Sequence, residues 1–429
     1  MTSMSSNQPY VDEMISARRR LHRHPEEGWT EFETTAFVAE QLRGWGYDVQ
    51  LGTAVIAPEA VLGRNPALVE QGIARARANG VSEELLSEMG GYTGAMAVLD
   101  TGRPGPTTAF RFDMDCVLVE ESHDAATHLP AKEGFASEYT GLMHACGHDA
   151  HTATGLGLAH WLMDHKDELT GRIKLLFQPA EEGTRGGAAM AAAGLVDDVD
   201  WFFGAHVGVS CKPGEVGVIR QGFLATTKID IVFKGVPSHA GAEPEKGRSA
   251  LLAAVNCAMT MQGIPRHSAG DSRVAIGTLH AGEGRNVTPV NAKMQIEVRG
   301  VNAEVNDYMV EQVDRAVKGA SIMYGVEGQW IKAGEASNLV ADEEACAVLE
   351  KAAQSMDGVT LKVFDKMNGS EDCTTLIRRA QAHGAKAGFF LYGCDYHGHH
   401  RADFEIQDTE SLPLAFGMFT RVATALHHR

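Results

Sequence analysis

The sequence predicts an α/β protein of two domains, in which a mostly parallel-sheet domain covered by helices receives an inserted α+β domain. With 429 residues the chain is longer than one ordinary core accommodates. Apolar strand-like runs alternate with helical patterns in the first half and near the C-terminus, which is typical of a parallel sheet with helices on both faces. Between them, over residues 223–334, the order changes to a βαββα run.

The larger domain is expected to combine residues 1–222 and 335–429. Helical spacing of apolar residues covers 10–46, and a second helical stretch covers 54–90, where Ser82 is a candidate N-cap and glycines follow. Strands are predicted at 107–113, 171–178, 200–207 and 386–392. Helices are predicted after His151, within 186–196 and over 407–428.

The inserted domain, residues 223–334, is predicted to be a compact lid-like unit. Its first strand is KIDIVFK, in which apolar and polar residues alternate as they do on a half-buried sheet. The remaining elements are helices at 248–262 and 302–323 and strands at 273–279 and 293–299.

Charge and composition exclude several classes of partner. The formal net charge of −18 repels phosphate backbones and anionic lipid surfaces, so we expect neither nucleic acid nor membrane as a partner. The first twenty residues contain no apolar targeting segment, and seven scattered cysteines, an odd number, are typical of a reducing compartment. We therefore expect a cytoplasmic protein.

Side chains that bind metals recur at the carboxyl ends of the predicted strands, where open α/β sheets bind ligands. Thiolate, imidazole and carboxylate together favour zinc or manganese over calcium. Two adjacent glutamates after a strand can divide the work, one as ligand and one as general base. Singly each group is ordinary, but their recurrence predicts a metal site. The groups lie at 113–115, 144–151, 178–182, 204–206 and 397–400.

The order of motifs resembles a known family over nearly the whole chain. RFDMD, HACGHDAH, QPAEE, GAHVG, GVPSHAG, NVTPVNA, SED and HHRADFEIQD are similar to the metallo-amidohydrolases related to aminoacylase and glutamate carboxypeptidase. The segment 54–90 and the strings EGFASEYTGLMHACGHD and GEGRNVTPV resemble one branch of it. That branch includes hippuricase, plant auxin-conjugate hydrolases, and hydrolases of p-aminobenzoyl-glutamate (their A subunit) and indole-acetyl-aspartate.

The resemblance implies two divalent metal ions per subunit, Mn²⁺ or Zn²⁺. Cys146 matches the bridging ligand, and His148 and His206 match the remaining ligands of one ion. Glu182 and His400 match those of the other, although the adjacent His399 is an alternative to His400 that the sequence leaves open.

The same comparison of motifs implies the catalytic residues. Glu181 matches the general base, and Asp115 matches a carboxylate that orients a ligand, although RFDMDCVLV departs from the family's usual RADMDALP beside it. His239 matches a histidine that stabilises the oxyanion, often supplied by the partner subunit of a dimer, and Asn286 matches a residue near the substrate. Arg285 is either the anchor of a substrate carboxylate or a solvated loop cation.

The expected activity is hydrolysis of an N-aroyl or N-arylacetyl acidic amino acid, such as p-aminobenzoyl-glutamate or indole-3-acetyl-aspartate. A general aminoacylase or hippuricase, a dipeptidase-like carboxypeptidase and a catalytically inactive binding homologue are the alternatives. A purely structural metal protein is disfavoured because structural zinc sites usually close with four Cys or His ligands. The resemblance also implies a homodimer formed through the inserted domain, or a heteromer with a homologous subunit.

Overall fold

The computed structural model describes residues 7–429, and this part of the chain divides into two compact units. The larger unit comprises the residues up to Gly222 together with Leu339–Met367 and Asp372–Arg429. The smaller unit comprises Phe223–Asn338 and Asn368–Glu371. The chain thus returns to the larger unit at Leu339, four residues after the boundary expected from the sequence.

Within residues 7–429 the chain forms fourteen strands and twelve α-helices. The strands are β1 (Asp48–Leu51), β2 (Ala95–Asp100), β3 (Thr107–Asp113), β4 (Arg172–Gln178), β5 (Trp201–Val207), β6 (Glu215–Ile219), β7 (Gln221–Gly222), β8 (Ala225–Lys234), β9 (Ser272–Ala281), β10 (Asn291–Gly300), β11 (Glu327–Ala336), β12 (Leu339–Val340), β13 (Thr360–Phe364) and β14 (Lys386–Tyr392). The helices are α1 (Gln8–Arg23), α2 (Phe32–Gly44), α3 (Pro66–Ala78), α4 (Glu83–Met89), α5 (Leu129–Glu133), α6 (His148–Asp164), α7 (Gly186–Ala192), α8 (Ala250–Gln262), α9 (Ala303–Tyr324), α10 (Glu343–Gln354), α11 (Cys373–Ala382) and α12 (Asp408–His427).

The larger unit is built on an eight-stranded sheet in the order β1-β2-β4-β3-β5-β14-β6-β13. Its four central strands, β4, β3, β5 and β14, are parallel to one another, and β13 is parallel to β6. The other three pairings are antiparallel. Because the central strands run in the same direction, their carboxyl ends meet at one edge, and this positions the site described below.

Helices cover this sheet, with α6 at the centre of one layer. The α6 helix packs against α1, α12 and β3, and almost every residue of it is buried. Beneath it, large aromatic side chains of neighbouring strands fill the core. Phe112 and Phe177 have ring centroids 5.7 Å apart, and Phe110 lies 6.0 Å from Phe203. The fold class predicted from the sequence is confirmed.

The smaller unit is a four-stranded antiparallel sheet in the order β11-β8-β10-β9, with α8 and α9 on one face. Alternate residues of β8, namely Ile229, Ile231 and Phe233, are buried against the two helices. The sequence predicted βαββα, whereas the observed unit continues with β11, which pairs with β8. β11 is an edge strand whose residues are mostly half-buried or exposed, so its sequence lacks a clear apolar alternation.

Most predicted elements lie where the sequence placed them. Ser82 caps α4 by accepting a hydrogen bond from the Leu85 N–H, and Gly90 ends that helix in the left-handed conformation. The α6 helix was predicted to follow His151, but it begins at His148. No helix within residues 7–429 is long and apolar enough to cross a membrane.

Candidate metal centre

The carboxyl edge of the central strands brings the predicted ligand groups together. Asp113 ends β3, Gln178 ends β4, and His206 is the penultimate residue of β5. The loop after β14 carries the histidine-rich segment 397–400, and the turn before α6 carries Cys146. Seven predicted site residues, all in the larger unit, contribute to this region: Asp115, Cys146, His148, Glu181, Glu182, His206 and His400.

A glycine allows Cys146 and His148 to occupy the same tight turn. Gly147 has φ of +84°, a left-handed conformation that favours glycine. A Cβ atom built there would lie 2.4 Å from Cγ1 of Val207, so β5 approaches the turn too closely for any side chain. The turn therefore presents the thiol of Cys146 and starts α6 with His148, which explains why the helix begins three residues earlier than predicted.

The carboxylate of Asp115 holds the turn that carries the two glutamates. It is fully buried, and its two oxygens accept hydrogen bonds from the backbone N–H groups of Glu181 at 3.0 Å and Glu182 at 2.9 Å. Nδ1 of His148 lies 2.9 Å from the Asp115 carbonyl oxygen and 3.2 Å from a carboxylate oxygen. Since both are acceptors, Nδ1 of His148 carries a proton, and Nε2 is the ring nitrogen that remains for binding an ion.

The thiol of Cys146 belongs to two groups of three potential ligand atoms, in each of which all three atoms lie within 4.8 Å of one another. One group is Cys146, Glu182 and His400, and another is Cys146, His206 and His399. His148 forms a group with Glu181 and Glu182, rather than with Cys146 and His206 as the resemblance implied. The thiol thus lies between two clusters of ligand atoms.

The chemistry of this donor set fits divalent metal ions. Nε2 of His148 is buried and makes no hydrogen bond within residues 7–429, and it lies 3.9 Å from Oε2 of Glu181. Burial holds the pKa of the Cys146 thiol well above its ordinary value, so the thiolate requires a cation beside it. Burial would also lower the pKa of His148, but the charges of Asp113 and Cys146 outweigh it and raise the pKa. The surrounding negative charges therefore favour a positive charge at Nε2 of His148, either a second proton or a metal ion in place of that proton.

His206 is prepared as a neutral donor. Its Nδ1 donates to the Val207 carbonyl oxygen at 2.8 Å, and its Nε2 lies 3.4 Å from Sγ of Cys146. Burial, reinforced by the neighbouring His151, lowers its pKa well below the ordinary value. The neutral ring therefore keeps a lone pair on Nε2, as metal ligation requires. Burial also lowers the pKa of His399, to about 4, and its Nε2 donates to the same Val207 carbonyl at 3.2 Å.

The last predicted ligand, His400, faces the second glutamate. Its Nε2 lies 3.0 Å from Oε1 of Glu182, and its backbone N–H donates to the Ala145 carbonyl oxygen at 2.7 Å. His400 has φ of +60°, an uncommon conformation for a residue other than glycine. Burial would raise the pKa of Glu182, but the hydrogen bond from His400 outweighs it, so the pKa is lowered.

A buried polar network beneath the site was missed by the sequence analysis. Arg111 donates to Asp113, to Gln178 and to Asp372. Asp113 in turn accepts from Nδ1 of His151, whose Nε2 accepts the Val207 N–H at 3.0 Å. Both ring nitrogens of His151 are therefore engaged. The signal in the sequence was a charged residue inside the apolar strand TTAFRFD, since a buried arginine requires carboxylate partners.

The three remaining predicted residues lie in the smaller unit, in two paired segments. His239 forms a β-bridge with Val287, and the Ala240 N–H donates to the Asn286 carbonyl oxygen at 3.1 Å. Nδ1 of the exposed His239 accepts the N–H groups of Gly241 and Ala242, at 3.2 and 3.0 Å.

The proton of neutral His239 consequently sits on Nε2, which is available as a hydrogen-bond donor. Arg285, next to Asn286, is exposed.

Comparison with known proteins identifies the family. Residues 109–425 match the model of peptidase family M20/M25/M40. The chain belongs to this family. It is 45% identical over 405 residues to a Haemophilus influenzae homolog of the p-aminobenzoyl-glutamate hydrolase A subunit, covering 94% of this chain and 96% of that protein. It is 44% identical to the indole-3-acetyl-aspartic acid hydrolase of Enterobacter agglomerans, covering 97% of this chain and 96% of that protein.

Solved structures extend this M20 assignment to the whole fold. The aminobenzoyl-glutamate utilization protein from Klebsiella pneumoniae superposes with a TM-score of 0.84 at 38% identity, covering 99% of this chain and 98% of that one. A Bacillus subtilis protein described as a dinuclear metal binding peptidase of the M20 family superposes with a TM-score of 0.67 at 25% identity, covering 97% and 98%. The resemblance stated from the motifs is confirmed, and the chain is a metal-dependent amidohydrolase.

Proposed function

We propose that this M20 protein hydrolyses the amide bond of an N-aroyl or N-arylacetyl acidic amino acid and releases the amino acid. The observation that carries the proposal is the buried thiol of Cys146, shared by two clusters of ligand atoms beside the Glu181-Glu182 turn. Relatives named for hydrolysis of p-aminobenzoyl-glutamate and indole-3-acetyl-aspartate support this substrate class.

Two divalent ions, Mn²⁺ or Zn²⁺, are proposed to be held by five side chains. Cys146 would be shared by the two ions, His148 and His206 would hold one of them, and Glu182 and His400 would hold the other. In both His148 and His206, Nδ1 faces a backbone carbonyl oxygen, which leaves Nε2 for an ion. This arrangement and the short His400–Glu182 contact support these roles. When bound, the ions supply Lewis-acid charge that polarises the scissile carbonyl and lowers the pKa of a nearby water molecule.

Glu181 is proposed as the general base. Its backbone is fixed by Asp115, and its carboxylate lies beside His148, with 3.9 Å between Oε2 and Nε2. In this position Glu181 removes the proton of the attacking water and then transfers it to the departing amide nitrogen. His239 is proposed to donate from Nε2–H to the developing oxyanion, because its Nδ1 is already occupied by two backbone N–H groups.

Arg285 and Asn286 are proposed to contact the substrate. The guanidinium of Arg285 makes no hydrogen bond or ion pair within residues 7–429, and it is exposed on the segment that pairs with the His239 loop. A guanidinium matches the geometry of a carboxylate, and every N-acyl amino acid carries an α-carboxylate.

The decisive test is a substrate panel assayed with the purified protein reconstituted separately with Mn²⁺ and Zn²⁺. We expect p-aminobenzoyl-glutamate and indole-3-acetyl-aspartate to give kcat/KM values at least tenfold above those of benzoyl-glycine, acetyl-alanine and unmodified dipeptides. Preference for acetyl-alanine or benzoyl-glycine would indicate a general aminoacylase or hippuricase, and preference for dipeptides a carboxypeptidase-like enzyme. Binding without turnover of any compound would indicate an inactive homologue.

A homodimer through the smaller unit is proposed as the assembly. The α8 helix exposes Leu252, Val255 and Met259, which are 51, 43 and 71% exposed and lie at helical spacing along one face. The adjoining sheet ends in the ten-residue edge strand β9, which has unpaired backbone groups on one side. A second copy pairing along this face would bury both features.

Light scattering on the wild type and on Met259→Glu tests the dimer. We expect the wild type to have twice the mass of one chain and the variant to shift towards the monomer. A monomeric wild type that gains mass only with a second, homologous chain would replace the homodimer with a heteromer.

A further inference from the structure

A half-buried arginine without a carboxylate partner lies three residues after Glu182. Nε of Arg185 donates to the Glu182 carbonyl oxygen at 2.9 Å, and Nη1 donates to the Gly63 carbonyl oxygen at 3.3 Å. A guanidinium has five N–H groups, so three of them make no hydrogen bond within residues 7–429. Arg185 also forms no ion pair within this part of the chain. A positive charge is thus held beside the turn that carries Glu181 and Glu182, and three of its N–H groups remain available to a ligand.

The fully buried arginines of the larger unit are paired with carboxylates. The buried guanidiniums of Arg18 and Arg111 each contact at least two carboxylates, and Arg75 pairs with Glu26 and Glu33. Withdrawing a cation from water without a counter-charge costs free energy, so a partly buried guanidinium is normally paired. An unpaired one, fixed next to candidate catalytic residues, is arranged for an anion that arrives from solution.

The position of the guanidinium is fixed before any ligand binds. Gly28 lies so close to it that a Cβ atom built there would be 2.3 Å from Nη2 of Arg185. Gly63, which accepts from Nη1, belongs to the segment 54–90, outside the residues that match the family model. A cation already held in place loses little conformational entropy when it binds an anion. The segment 54–90 therefore helps to anchor the side chain of Arg185 through the Gly63 carbonyl oxygen.

We propose that Arg185 binds the side-chain carboxylate of the acidic amino acid in the substrate. This inference rests on the proposed function and deepens it. An acidic amino-acid conjugate carries two carboxylates, whereas a neutral one carries only the α-carboxylate. Arg285, in the smaller unit, then serves the α-carboxylate common to both kinds of substrate. Arg185 selects the acidic kind through the planar fork of its remaining N–H groups.

The kinetic test compares p-aminobenzoyl-glutamate with p-aminobenzoyl-glutamine, which has the same shape but lacks the second charge. Hydrogen bonds between charged groups correspond to about tenfold to a hundredfold in binding, so Arg185→Met should lower kcat/KM for the glutamate conjugate by that factor. The glutamine conjugate should change less than threefold. Arg185→Lys should fall between, since it keeps the charge and loses the fork. Arg378→Met removes an exposed arginine of α11 and should leave both substrates unchanged.

Two outcomes would overturn the proposal. An equal fall for both conjugates in Arg185→Met would mean that Arg185 only supports the Glu182 turn through its Nε hydrogen bond. A glutamate conjugate that is unaffected would mean that Arg185 does not contact it. By contrast, Arg285→Met should weaken both conjugates alike.

Calorimetric titration with glutarate and with its mono-amide separates this proposal from the proposed function, because it requires no turnover. We expect the wild type to bind glutarate at least tenfold more tightly than the mono-amide, and Arg185→Met to lose this preference. That result together with no hydrolysis of any conjugate would support the carboxylate site and refute the proposed function. If the wild type hydrolyses the conjugates but does not prefer glutarate, the proposed function is supported and the carboxylate site at Arg185 is refuted.

Discussion

Replacing Asp115 by asparagine tests how the site is held together. The carboxylate is fully buried and accepts both the Glu181 and the Glu182 backbone N–H groups, one on each oxygen. Asparagine offers one amide oxygen, so one N–H loses its acceptor and faces an NH₂ group instead. A lost hydrogen bond to a charged group, together with a buried donor left unsatisfied, should lower the free energy of unfolding by about 2–4 kcal/mol.

The same substitution should weaken metal binding. His148 Nδ1 lies within hydrogen-bond distance of Asp115, and removing a group that orients a metal ligand typically lowers affinity about 10–100-fold. The assays are urea unfolding of the metal-free protein and titration with Zn²⁺ against a competing chelator. Asp124→Asn is the matched control, because this exposed carboxylate also accepts a backbone N–H, that of Ala126. The reasoning would be refuted if Asp115→Asn had the same free energy of unfolding as the wild type and a metal affinity within twofold of it.

Three further variants test separately the proposed general base, a proposed metal ligand and the proposed oxyanion donor. Glu181→Gln should keep its metals by elemental analysis yet lose about 10²–10⁴-fold in kcat, and near-normal turnover would end the assignment of Glu181 as base. Cys146→Ala should lower metal content, so full occupancy would exclude a bridging role. His239→Ala should lose about 10²–10³-fold in kcat with metal content unchanged. Mixing it with Glu181→Gln should restore activity if His239 acts across a dimer, whereas no recovery after verified exchange would indicate action within one chain.

Strand ends were the most predictable part of the site. Buried parallel strands are nearly continuous apolar runs, so the polar residues at their ends stand out, as Asp113 and Gln178 do at the ends of β3 and β4. Two of the strands that escaped prediction have weaker patterns. The edge strand β13 has no fully buried residue, and the short strand β6 offers only five residues, EVGVI. Sequence periodicity reports burial, so a strand that is exposed or very short gives little signal.

The HACGHDAH motif shows where spacing alone is insufficient. Three potential ligands within six residues suggested a metal site, and Cys146 and His148 do face the candidate centre. His151 lies one helical turn after His148, with ring centroids 5.4 Å apart, but its nitrogens contact Asp113 and the Val207 N–H. Those partners come from β3 and β5, elements distant in sequence. A residue's type and spacing identify possible ligands, and only its hydrogen-bond partners decide among them.

The same reasoning bears on the choice between His399 and His400, which the sequence left open. Nε2 of His399 donates to the Val207 carbonyl oxygen, which also accepts from Nδ1 of His206. His399 thereby braces the backbone that orients His206, a role that uses its ring nitrogen nearest the strand. Nε2 of His400 instead faces the Glu182 carboxylate at 3.0 Å, although each of the two histidines belongs to a group that shares Cys146. Since a carboxylate and an imidazole that converge on one thiol form a ligand set, this geometry supports His400 as the ligand and a structural role for His399.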